Sequence, residues 1–149
     1  MDKERLIEKL REEGIKEEIL EAIEKIDRVN FVPESHLAEA YEDHPLSIGY
    51  GQTISQPYTV AFMLQELELK KNDKVLEIGT GSGWNAALVS YLIGEEGKVY
   101  TAEVVDELAR KAKEKLKSYK NVTVLNGDAS HGLPEYAPYN KIILTAAPK

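Results

Sequence analysis

From Lys74 onward, short runs rich in Val, Ile and Leu alternate with helical runs, and this alternation limits the fold more than any other feature of the chain. "KVLEIGT" (74–80), "GKVYTAEV" (97–104), "NVTVLNG" (121–127) and "NKIILTAA" (140–147) read as strands. "NAALVSYLIG" (85–94) and the Lys-rich stretch 106–118 read as helices between the first three. Strands that alternate with helices form a parallel sheet joined by right-handed crossovers, so the pattern predicts an α/β fold.

The part before Lys74 has a different character. Leu6, Ile7 and Leu10 in 2–13, then Ile19, Leu20, Ile23 and Ile26 in 16–28, fall at helical spacing, with Gly14 as the stop between them. Residues 29–45 mix Pro with a brief helical patch and read mostly as loop. "GYGQTISQP" (49–57) reads as a hydroxyl-rich loop, and 57–69 as a helix with Pro57 in its first turn. We expect a single domain over 1–149, with the N-terminal helices and the hydroxyl-rich loop in 1–72 and the alternating strands and helices in 73–149.

Composition removes several function classes. A net charge of −7 argues against nucleic acid, whose backbone needs a basic face. No Cys is present, and His36, His44 and His131 lack ligand spacing, so no metal site is expected. No apolar run approaches a membrane span and the N-terminus is charged, so neither membrane nor export is expected, and the location expected is cytoplasmic.

The chemistry is written around "VLEIGTGSG". Gly79, Gly81 and Gly83 fall where a strand turns into a helix, and glycine there lets a ligand approach the backbone. A dinucleotide fingerprint requires a third glycine where Trp84 stands, which argues against a nicotinamide cofactor. Glu103, about twenty residues on at the next strand end, can accept ribose hydroxyls. Asp128 follows the third strand, where an adenine amino group could be read, and Glu77 could face an amino-acid portion. Acidic residues repel phosphate and favour a cation. S-adenosyl-L-methionine has ribose, adenine, a sulfonium charge and no phosphate, and it fits. Each residue also has a plain alternative: Glu103 as a solvated strand end, Asn126-Gly127 as a turn, Ser55 as the cap of the helix at Pro57.

The stretch from Arg28 to Gly94, above all "GQTISQP" followed by "VLEIGTGSG", closely resembles the protein-L-isoaspartate O-methyltransferases. The likeness runs from near residue 25 to the last residue. It implies a Rossmann-like S-adenosylmethionine-dependent methyltransferase fold with N-terminal helices. It also implies methyl transfer to the α-carboxylate of isoaspartyl residues in damaged proteins or peptides, with S-adenosyl-L-homocysteine as product. The ester collapses to a succinimide, whose hydrolysis returns some aspartate, which is protein repair. By the same likeness Ser55 matches the active-site serine, and Thr53 assists. Cofactor contacts are implied for Gln52, Thr53, Ile54, Ser55, Glu77, Gly79, Gly81, Glu103, Asp128 and Ala129. Val60 stands where some members carry a His that contacts the cofactor.

Family members continue beyond the fourth strand, and this sequence supplies only the 3-2-1-4 part of their sheet order. The expectation is therefore a fold truncated after its fourth strand, lacking the family's C-terminal third. Ile142, Ile143 and Leu144 would lie on an apolar edge, and a homodimer through 140–147 would cover it. The alternative function is a truncated S-adenosylmethionine-binding module with little or no activity.

Overall fold

The computed structural model describes residues 1–145. It divides into two compact units, Met1–Glu68 and the chain from Leu69 on.

The first unit begins with α1 (Lys3–Glu12) and α2 (Glu17–Lys25). Asp2 caps α1 by accepting from the Arg5 amide at 2.8 Å, which satisfies one of the amides a helix start leaves open. The stop at Gly14 has φ +95°. Here the Gly14 amide donates to the Arg11 carbonyl and the Ile15 amide to the Leu10 carbonyl, both at 3.1 Å. Ile15 then packs into the core alongside Leu10. The segment expected to be mostly loop winds into two short 3₁₀ turns, Arg28–Phe31 and Glu34–Glu39.

"GYGQTISQP" is more ordered than its composition suggests. Leu46–Gly49 (β1) and Gln52–Ile54 (β2) form an antiparallel hairpin, with Leu46 opposite Ile54 and Ser47 opposite Thr53. Tyr50 and Gly51 at its tip have φ +57° and +70°, the left-handed pair that a two-residue hairpin turn requires. The chain enters α3 (Pro57–Leu67) with Pro57 in its first turn. Ser55 is not the cap. Gln56 occupies that position without a side-chain bond, and Asp43 Oδ1 accepts from the Tyr58 amide at 2.9 Å instead.

The second unit holds four parallel strands: β3 (Lys74–Ile78), β4 (Lys98–Glu103), β5 (Val122–Asn126) and β6 (Lys141–Leu144). Their order across the sheet is β5-β4-β3-β6, the expected 3-2-1-4 arrangement. The strand expected over 140–147 thus covers Lys141–Leu144, and Ala146 and Ala147 lie outside the described residues. Helix α4 (Trp84–Ile93) links β3 to β4 and α5 (Asp106–Leu116) links β4 to β5. Most of α4 is buried, as its nearly continuous apolar sequence demands, whereas α5 buries only Leu108, Ala109, Ala112 and Leu116. Because β4 and β6 flank β3, the chain reverses its direction across the sheet beside β3. The C-terminal ends of the strands at such a reversal are where open α/β sheets bind ligands.

Candidate functional site

The turn after β3 is fixed by the neighbouring strand. Gly79 and Thr80 donate their amides to the Ala102 carbonyl at 2.8 and 3.2 Å, and Gly83 closes back on the Thr80 carbonyl at 3.0 Å. Gly83 has φ +93°, and a Cβ there would stand 3.2 Å from Leu116 Cδ1, so both backbone and packing call for glycine. Trp84 follows directly as the first residue of α4, and it is buried.

Glu103 ends β4 beside this turn. It is not a solvated strand end: it is 5% exposed, and its two carboxylate oxygens take different amides. Oε1 accepts from Gly81 at 2.8 Å and Oε2 from Val105 at 3.1 Å. Each oxygen keeps lone-pair capacity for one more donor. A carboxylate on the Gly81 amide also occupies the turn with negative charge. The Gly81 amide is therefore taken and has an anion beside it, which disfavours a phosphate at that amide. The site suits a ligand that brings hydroxyl donors and no phosphate.

Two further strand ends meet this corner. The Gly127 amide donates to the Glu103 carbonyl at 2.9 Å, which brings the end of β5 beside that of β4. Asp128 is exposed there, its carboxyl held below the usual range chiefly by the Ser130 amide, which donates to Oδ1 at 2.8 Å. Ala129 beside it is buried. On the other side of β3, the Thr145 amide donates to the Ile78 carbonyl at 3.0 Å.

Glu77 sits beneath the turn, with none of its surface exposed. Thr101 Oγ1 donates to its Oε1 at 2.5 Å and Asn85 Nδ2 to its Oε2 at 2.8 Å. Since Thr101 spends its proton on Glu77, the 2.6 Å contact with Thr80 is a bond that Thr80 donates. A chain of hydroxyls thus runs from the glycine turn down to a buried carboxylate. Burial pushes the Glu77 carboxyl up to about 7; the Thr101 and Asn85 donors pull it down, and the Glu103 charge adds to the rise.

Within the first unit, Gln52, Thr53 and Ile54 form β2, and Ser55 lies just beyond it. Ile54 and Val60 are buried, Gln52 and Ser55 half-buried, and Thr53 exposed. Ser55 is held by its backbone: its carbonyl accepts from Arg28 Nη2 at 3.0 Å. Arg28 and Asp43, which brace this segment, escaped the sequence reading. The hydrogen bonds by which Arg28 braces it go to backbone carbonyls, which carry no residue type to find in a sequence.

Two solved structures superpose on nearly the whole chain. One protein-L-isoaspartate O-methyltransferase superposes with a TM-score of 0.88 at 35% identity, over 97% of this chain and 48% of its own. The Plasmodium falciparum PCMT in complex with S-adenosyl-L-homocysteine gives 0.85 at 22% identity, over 98% of this chain and 74% of its own, and speaks for the fold alone. The family model for protein-L-isoaspartate(D-aspartate) O-methyltransferase matches residues 1–149, and the chain belongs to that family. The protein-L-isoaspartate O-methyltransferase of Ignicoccus hospitalis is 54% identical, over 99% of this chain and 72% of the relative. Protein-L-isoaspartate O-methyltransferase 2 of Archaeoglobus fulgidus is 51% identical, over 97% and 68%. The chain therefore spans about seven-tenths of these relatives and about half of the first solved structure.

Proposed function

We propose that this chain transfers the methyl group of S-adenosyl-L-methionine to the α-carboxylate of isoaspartyl residues in damaged proteins. The observation that carries this reading is the family match over residues 1–149, supported by 54% identity to a named isoaspartyl methyltransferase. The site chemistry agrees with the cofactor: a carboxylate seated on the Gly81 amide favours ribose hydroxyls over phosphate.

Bound S-adenosyl-L-methionine would supply a sulfonium-borne methyl group that is electrophilic without further activation. Glu103 would accept from the ribose, Asp128 and Ala129 would lie along the adenine, and Gly79 and Gly81 would let the ligand approach the backbone. Glu77 would act from below, fixing the turn through Thr101 and Thr80. Gln52, Thr53, Ile54 and Ser55 would form the substrate side. A substrate α-carboxylate is already ionised at neutral pH, so no strong base is required. Ser55 would donate a hydrogen bond that turns a carboxylate oxygen toward the methyl, with Thr53 assisting, and exclusion of water completes the requirement.

Transfer of a labelled methyl group to an isoaspartyl peptide tests the proposal, and cofactor binding without transfer would favour the inactive binding module. We further propose a cytoplasmic setting, in keeping with the absence of Cys from the chain. Pairing of two chains through β6 is proposed on the exposure of Ile142 and Leu144, 53% and 54%.

A further inference from the structure

Arg28 is 2% exposed and spends its guanidinium on backbone carbonyls. Nη1 donates to Ala40 and Glu42, each at 3.1 Å, and Nη2 donates to His44 at 2.9 Å and Ser55 at 3.0 Å. Three of these acceptors lie in one short segment, and the fourth is the residue to which the proposed function gives the substrate carboxylate. Asp43, in that same segment, accepts from the Tyr58 amide at 2.9 Å and pairs with Lys9 at 2.6 Å. The stretch from Ser55 to Tyr58 is thus tied at both ends to residues 40–44.

A buried cation is an expensive way to fill space, because apolar residues of similar volume pack there at no desolvation cost. Its planar fork, however, can fix several acceptors at once, which a lysine ammonium cannot match. We propose that Arg28 is a positioning residue for methyl transfer: by fixing the Ser55 carbonyl to residues 40–44, it sets where the Ser55 hydroxyl stands. The inference rests on the reading of Ser55 as the group that orients the substrate. A displacement of about 1 Å at such a group is enough to cost a large part of the rate.

The test is a cycle of Arg28→Lys and Ser55→Ala, assayed on an isoaspartyl peptide with cofactor affinity measured on the same samples. Arg28→Lys keeps the charge and loses the fork. It should lower kcat about tenfold, with cofactor affinity within about twofold of the parent. The double variant should be no worse than Ser55→Ala alone, since both act through one hydroxyl. Losses that multiply, or an Arg28→Lys enzyme with full turnover, overturn the role of Arg28 while leaving that of Ser55 intact. Full turnover in Ser55→Ala, or no turnover in the parent chain, overturns the Ser55 reading and this inference with it. A measurement on the parent protein covers a variant that fails to fold. With labelled arginine, the Arg28 Nη resonance should move on saturation with the isoaspartyl peptide and stay in place with the aspartyl peptide. A resonance indifferent to both contradicts the inference.

Discussion

At the scale of single residues, the proposed function gives Ser55 the substrate carboxylate and Glu103 the cofactor ribose. Ser55→Ala should reduce turnover by roughly ten- to a hundredfold, the loss of one charge-assisted hydrogen bond, with cofactor affinity barely changed. Steady-state kinetics beside calorimetry checks this, and unchanged turnover refutes the role. Glu103→Ala should weaken S-adenosyl-L-methionine binding by about 1.5–3 kcal/mol in calorimetry. It should also lower thermal stability, because the Gly81 and Val105 amides lose their acceptor. Equal affinity in variant and parent would contradict the adenosine site. Glu77 gives a prediction in pH. Its carboxyl rises from 4.5 when unfolded to about 7 in the fold, so the folded state binds the proton more tightly. The stability it contributes is complete below the unfolded value and is lost as pH rises through about 7. Glu77→Gln should remove that slope, so the parent should lose stability relative to the variant between about pH 5 and pH 8. Parallel unfolding curves across this window would show that Glu77 does not titrate there.

Among the elements, those with a strong period were the legible ones. The βα alternation after Lys74 predicted the sheet order, because parallel strands joined by helices leave few topologies open. The hairpin over Leu46–Ile54 was not legible. Gly, Ser, Thr and Gln there mimic a loop, and the left-handed conformation of Tyr50 is no property of tyrosine. Ser55 illustrates a similar failure. A hydroxyl two residues before Pro57 reads as a cap, yet an aspartate twelve residues earlier caps that helix. The setting of Glu77 was not legible either, since the Thr101 and Asn85 donors to its carboxylate come together only in the folded sheet. At this scale β6 carries its own prediction. With Ile142 and Leu144 exposed, the 149-residue chain should self-associate through that strand. Light scattering should report a dimer that Ile142→Lys disrupts; a monomer at high concentration would rule this out.

For the whole molecule, the sequence carried the fold class and the family, because both rest on patterns local to the chain. The bracing of Ser55 was hidden, since it depends on carbonyls that only the folded backbone assembles around Arg28. The central claim is the proposed one, that this chain methylates isoaspartyl carboxylates with S-adenosyl-L-methionine. Its most direct test compares methyl transfer to an isoaspartyl peptide with transfer to the matching aspartyl peptide, while S-adenosyl-L-methionine binding is measured on the same preparation. Saturable binding with transfer confined to the isoaspartyl peptide is the predicted result. Binding without transfer, or equal transfer to both peptides, would contradict the claim.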